Sequence, residues 1–520
     1  MTADPYVTTE AGTARAGISG WLVAGLFVVC VGLAVLPIFS HRFLSINDYL
    51  NHLARSDVLL YYNSNVGFSR FYIPHWRILP NLALDLWVFG FGRILPVELA
   101  GKLFVAVTLA IVLGGVIILH RIVFNKWSLW PFLAVVLLYN RLLLVGVVNY
   151  LFGIGLWLLV FALWIKLRQR HPLIRASLLS LGALAVFFAH LFAFGVLAVT
   201  IAADELVVFI TGRRSFAKRV VDLFTAALPF LPAIALLVLF APHSTSSAVI
   251  RYRDLWTRIL AFAAPILYDW RIEAICYFAL GALLLGTVLT GAIRFDRRLA
   301  AGVIALFVIQ FCIPNVIMTA EGADRRIPIP MMLLAIAATD PNKASRQQCL
   351  ALVLTTGAIF AFRIAAVEDR WSRDQPAYTA AWDALSKIPP GARVATAFAP
   401  DVFDSFSTPE IALYYLPVWR VVPQGGFTQT LFASPTQQPL VLTPEYASLA
   451  AATSASDIWQ AFVSGLGAAC RPAPKIVAAI HNYDYVAFVG RRKFLVCRNP
   501  LLRPMTGGHY VQVFRITPGR

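Results

Sequence analysis

Asp48, Asn51, His52 and Arg55 are spaced i, i+3, i+4 and i+7, so a helix through them carries a carboxylate, an amide, an imidazole and a guanidinium on one face. The face follows directly on the first long apolar run. Such a stripe could be a merely solvated juxtamembrane surface, or it could do chemistry. A carboxylate there can take a proton from a hydroxyl or amine. A guanidinium can hold a phosphate through two hydrogen bonds. His52 could orient Asp48, bind phosphate, or join a metal site with Asp48 or Asp57. A divalent ion is thus an open option, although Asp57 lies off the stripe.

Other polar groups collect at the ends of apolar runs: His75, Arg77 and Asn81 in the same loop, Arg141 and Asn149-Tyr150 around 145–148, His190 between two runs, Tyr268-Asp269 before 272, and Arg325-Arg326 before 327. Ionisable groups at membrane depth are expensive and default to functional candidates. His190 also reads as a buried histidine bonded to a nearby carbonyl, and the arginine pair as snorkelling at headgroup level.

The elements that must position these groups are membrane spans. The chain has 520 residues, of which 59% are hydrophobic and 13% charged. That charged fraction is about half the usual value for soluble domains. The net charge of +18 fits basic loops facing the cytoplasm and does not call for nucleic acid. Apolar runs fall at about 17–39, 102–119, 128–145, 148–165, 174–189, 191–210, 221–241, 272–292, 299–317, 327–339 and 348–366. The run at 327–339 is short and flanked by Pro328 and Pro330. The segment 80–98 is interrupted by polar residues and Pro96, and reads as a surface helix or a short span.

Basic clusters at 121–126, 166–175, 213–219, 294–298 and 343–346 mark alternate connections as cytoplasmic. With about 11 spans, the N-terminus lies inside, and the 40–101 loop, the 242–271 loop and the C-terminal region lie outside. The expected fold is therefore a polytopic α-helical membrane protein, 1–369, with a C-terminal extracytoplasmic α/β domain, 370–520. In that domain 393–399, 419–422, 485–489, 494–497 and 510–516 read as strands, and 376–387 and 444–467 as helices, the latter broken. Cys470 and Cys497 could pair in an oxidising compartment or remain free thiols. Residue usage points to a bacterial inner membrane with a periplasmic C-terminal domain.

On this topology Asp48 and the Arg325-Arg326 pair share the outer boundary. Transfer from a lipid-phosphate donor needs both: a base for the acceptor and positive charge for the departing phosphate. Asp48 is the candidate catalytic base. Asn51, His52, Arg55, His75, Arg77, Asn81, His190, Tyr268, Asp269, Arg325 and Arg326 are candidate substrate contacts.

The layout resembles the GT-C class of membrane glycosyltransferases, which includes the protein mannosyltransferases and the lipid A aminoarabinose transferases. Asn47–Arg55 occupies the place of their acidic first-loop motif. Pro80-Asn81 resembles the proline near the end of that loop, and Ala323–Pro328 resembles their late-span arginine segment. The resemblance implies a polyprenyl-phosphate-linked sugar donor and an extracytoplasmic lipid or glycan acceptor. The paired acids of many members are absent here, because Asp48 stands between Asn47 and Tyr49. Two other readings fit the composition: a transporter or flippase of lipid-linked sugars, and a non-enzymatic envelope scaffold. Neither paired broken helices nor a repeat speaks for the transporter.

Overall fold

The computed structural model describes residues 18–168, 170–240, 250–266, 270–317, 320–399, 413–463, 472–490 and 494–517. Among these, six helices are long and apolar enough to cross a membrane: Gly20–Ser40, Val97–Phe124, Val148–Lys166, Leu191–Thr211, Phe216–Phe240 and Arg346–Leu385. Four shorter apolar segments accompany them, Trp130–Val145, Leu173–Ala189, Ala274–Leu289 and Pro328–Ala337. The chain is an integral membrane protein. The helix Ala83–Phe91, inside the ambiguous 80–98 segment, rises only about 14 Å and cannot cross a ~30 Å hydrocarbon core.

Several apolar runs are less regular than periodicity predicts. The 128–145 run is not one helix. It is a 3-10 helix, Trp130–Leu137, followed by one short turn, Arg141–Val145. Asn140 makes the break: its Oδ1 accepts from the Leu143 amide at 3.0 Å and its Nδ2 donates to the Leu137 carbonyl at 2.9 Å. The 348–366 run, in contrast, extends into a single helix of 40 residues, Arg346–Leu385. It opens on a capping box between Ser345 and Gln348 and carries Pro376 inside. The separate helix expected at 376–387 is the end of this one, and the boundary expected at 369–370 falls within it.

The C-terminal lobe contains a four-stranded sheet in the order Leu502–Gly507, Val511–Ile516, Tyr485–Val489, Val394–Phe398, antiparallel except for the last pair. All five residues of Val394–Phe398 are buried, as its apolar run requires. Its outer edge is covered by a strap at 427–432. Val394 donates to the Phe427 carbonyl at 2.8 Å, and the Gln429 side-chain amide makes a two-point clasp on Thr396, 3.0 and 2.7 Å. A side chain thus takes the place of a neighbouring strand on an otherwise open edge. The expected strand at 419–422 is instead helical, Leu416–Val421, and 494–497 contributes only an isolated bridge at Val496. The helix expected at 444–467 is present as Pro444–Ala452 and Ala455–Phe462. Cys497 is disulfide-bonded, whereas Cys470 lies outside the described residues.

The lobe and the first loop are one packed unit. Tyr72–Pro74 pairs antiparallel with Leu440–Leu442, and the Tyr72 hydroxyl donates to the Gly426 carbonyl at 2.8 Å. About two-thirds of the way along the helix Leu191–Thr211, buried Asp204 accepts from Trp164, Arg168 and Arg298, and Glu205 from Arg168. That ion cluster lies about 21 Å along the helix from His190 and ties helix ends together. Its arginines are matched by carboxylates and are not candidates for substrate.

Candidate active site

Asp48 is held by its main chain, which leaves its carboxylate available. The segment that leads to it is stitched to the 40-residue helix. Ser40 Oγ donates to Glu368 at 2.9 Å, and Gln375 meets both the amide and the carbonyl of Phe43 at 3.2 and 2.9 Å. Ser45 Oγ donates to Asp374 at 3.2 Å. The amides of Asn47 and Asp48 then donate to the carbonyls of Leu144 and Val145 at 2.9 and 3.1 Å. The short turn behind the Asn140 break therefore forms a ledge under Asp48. Asp48 begins the helix Tyr49–Tyr61 without using its side chain as a cap.

Part of the Asp48 side chain remains accessible, yet burial pushes its pKa up to about 7 against the opposing pull of the Arg326 guanidinium. A carboxylate with both properties lies in a recess, shielded from bulk water without being sealed from it. Arg326 has the same character. Burial lowers its pKa, while Tyr150 and Asp48 pull it back up. The Tyr150 hydroxyl donates to the Arg326 carbonyl at 2.8 Å, and the guanidinium carbon stands 4.7 Å from the centre of the Phe192 ring. The Arg326 Nη2 donates to the Glu321 carbonyl at 3.2 Å. Arg325 and Arg141 approach closely enough for their charges to repel. Arg326 thus places positive charge beside Asp48, and its sequence neighbour Arg325 lies close to Arg141 from a distant stretch of chain.

His190 completes this side. It caps the helix Leu191–Thr211, its Nδ1 accepting from the Phe192 amide at 3.1 Å, and its ring meets Tyr150 edge-on at 5.2 Å. Asn81, with a left-handed φ of 72°, docks the end of the first loop here. Its Oδ1 accepts from the Leu191 amide at 3.2 Å, and its carbonyl accepts from Asn149 Nδ2 at 2.7 Å.

The other members of the stripe are engaged by protein. Arg55 is 1% exposed and makes a bidentate ion pair with Asp85, 2.9 and 2.7 Å, which Ser56 supports from behind. Its Nη2 also lies 3.0 Å from His52 Nδ1. Because a guanidinium only donates, Nδ1 is the acceptor and Nε2 carries the proton. Burial and the Arg55 charge hold the His52 pKa well below its ordinary value, so the ring is neutral. Asn51 is fully buried: Nδ2 donates to the Thr430 carbonyl and Oδ1 accepts from the Phe432 amide, both at 2.7 Å.

His75 joins the lobe through its amide, which donates to the Pro439 carbonyl at 2.7 Å, and Arg77 is exposed. Among the described residues no contact links either to Asp48. Tyr268 and Asp269 lie outside the described residues. Among the described residues no three His, Cys, Asp or Glu side chains form a group that could hold a metal ion.

Sequence reasoning passed over Gly146, Asp85 and Tyr415. Tyr415 comes from the C-terminal lobe, and burial, with a smaller contribution from the Asp48 charge, holds its phenol well above the usual tyrosine pKa. A cavity of 280 Å³ beside Arg393, Tyr446 and Asn482 lies wholly within the lobe and holds none of the candidate residues. Its Arg393 is already paired with Asp484 at 2.7 Å.

No family model matches the sequence, and no curated relative matches it. Two solved structures of ArnT from Cupriavidus metallidurans do match the fold: one bound to undecaprenyl phosphate, one in the apo state. Each aligns with a TM-score of 0.53 at 11% identity, over 95% of this chain and 98% of the other. Across nearly its whole length, lobe included, the chain has the fold of these ArnT structures.

Proposed function

We propose that the chain is a GT-C glycosyltransferase that moves a sugar from a polyprenyl-phosphate donor to a lipid or glycan acceptor on the outer face of the membrane. The observation that carries this reading is the approach of Asp48 to Arg326 in one partly desolvated recess. Asp48 takes the proton from the acceptor hydroxyl or amine, whose lone pair then attacks the anomeric carbon. The bond from that carbon to the phosphate oxygen breaks, and the polyprenyl phosphate leaves with the electron pair. Arg326, with Arg325 and Arg141 behind it, stabilises the charge that develops on the departing phosphate. Before a donor binds, the Arg326 charge favours the ionised Asp48 carboxylate. A donor phosphate on Arg326 offsets that influence and makes Asp48 a stronger base when the donor is in place.

On the same reading the first loop, the 242–271 region and the C-terminal lobe face the periplasm of a bacterial inner membrane, with the N-terminus inside. The structural likeness to a protein bound to undecaprenyl phosphate supports the class of donor lipid. Purified protein in nanodiscs, offered a panel of undecaprenyl-phosphate sugars, tests the proposal. Asp48→Asn should bind undecaprenyl phosphate and not turn the donor over. Arg326→Ala should lose affinity for undecaprenyl phosphate by 10-fold or more. Donor turnover at the wild-type rate in Asp48→Asn would remove Asp48 as the base.

A further inference from the structure

The lobe reaches into the recess as well as resting on it. Tyr415 is 6% exposed and feels the Asp48 charge, and its ring meets Phe432 edge-on at 5.3 Å. Phe432 in turn meets the His52 ring edge-on at 5.3 Å. Two rings from the lobe and one from the first loop thus form a continuous wall that begins at Asp48. Phe432 and His52 keep accessible surface.

The wall is fixed from both sides by the strap 427–432. Gln429 clasps it to the sheet through Thr396, and Asn51 clasps it to the helix Tyr49–Tyr61 through Thr430 and Phe432. Two amide clasps on residues so close in sequence leave Phe432 little freedom to move. Aromatic faces beside a carboxylate match the chemistry of a sugar ring, whose C–H faces pack on aromatic rings while its hydroxyls reach polar groups. The neutral His52, protonated at Nε2, and the Tyr415 hydroxyl are donors of that kind.

We propose that Phe432, Tyr415 and His52 form an acceptor subsite for a glycan, built jointly by the C-terminal lobe and the first loop, with its reacting hydroxyl directed at Asp48. The proposal rests on the transferase reading for its direction of chemistry. It also makes the lobe part of the catalytic unit and Asn51 a positioning residue that acts through the strap.

Full-length protein in nanodiscs tests it without turnover. Binding of short alkyl glycosides of glucose, galactose, mannose and N-acetylglucosamine is measured by saturation-transfer NMR, and binding of undecaprenyl phosphate separately. Wild type should bind at least one glycoside saturably. Phe432→Leu, which keeps an apolar side chain on the strap, and Tyr415→Phe, which keeps the ring, should each weaken it fivefold or more. Undecaprenyl phosphate affinity should stay within twofold in both. Elution as a monodisperse peak identifies folded variants. Glycoside affinity unchanged in both folded variants, or no saturable glycoside binding by wild type, would overturn the subsite. Failure of wild type to bind undecaprenyl phosphate would instead overturn the donor assignment and leave the glycoside result standing.

Discussion

Gly146 lies against the backbone of Asp48: a Cβ added to it would come within 2.6 Å of the Asp48 nitrogen. Its φ of +100° is itself a conformation that L side chains avoid. The ledge that carries the candidate base can be built only with glycine at this position. Gly146→Ala should therefore displace Asp48 and lower kcat by about 100-fold, the scale on which small misplacements of reacting groups act. Undecaprenyl phosphate affinity should change far less. Steady-state kinetics with a parallel lipid-binding assay checks both.

Asp48 gives a pH signature. With its pKa near 7 in the donor-free protein, the base is ionised only above that value, so kcat/KM for the acceptor should rise with pH through about 7, or somewhat higher with donor saturating, and then level. Stability should move the opposite way. Unfolded Asp48 releases its proton near 3.9, whereas folded Asp48 holds it up to about 7, so ionisation opposes folding as pH rises from about 4 to about 7. Asp48→Asn should abolish transfer and raise Tm relative to wild type at pH 8, with no such advantage near pH 4. Thermal scans at the two pH values measure it.

Arg55 and Asp85 separate architecture from chemistry. The pair is buried and bidentate, and removing one partner leaves a charge without its counter-ion. Arg55→Ala should cost about 3–5 kcal/mol of stability. Arg55→Lys should lose much of the same, since an ammonium cannot reproduce the two-point geometry. Arg326→Ala should keep Tm within about 2 °C and lose donor affinity instead. Thermal unfolding compared with lipid binding distinguishes the two arginines.

Asn51→Ala should strand the Thr430 carbonyl and the Phe432 amide together, at about 1–3 kcal/mol for each buried group left unmade. Because those groups belong to the lobe, hydrogen exchange at 428–432 should accelerate more than exchange in the membrane helices. Exchange mass spectrometry reads this directly.

The sequence carries the long apolar helices, the polar stripe and the late arginine pair plainly, because length, hydropathy and local spacing encode them, whereas the count of about 11 spans exceeds the six described helices long enough to cross. It does not say which stripe members face substrate. Asp48, Asn51, His52 and Arg55 share a face, yet Asn51 is consumed by Thr430 and Phe432, and Arg55 by Asp85 thirty residues away. No periodicity reports such long-range pairing. The break at Asn140 hid in an apolar run that reads as one span, although Asn140 followed by Gly146 is the usual pattern of a capped turn closed by a left-handed residue. The helix expected to start at 376 is instead continuous with the span before it, and hydrogen bonds of Asp374 and Gln375 to Ser45 and Phe43 hold the chain helical through Pro376.

The helix Arg346–Leu385 is about 60 Å long, roughly twice the depth of a bilayer's oily interior. Its lower part is embedded, and its upper part grips the peptide that leads to Asp48. A helix attached at both levels links the spanning region to the peptide that carries Asp48, so a bilayer thickness that tilts the one should also move the other. Transfer rates in membranes of longer or shorter acyl chains should therefore differ, with every substrate contact unchanged.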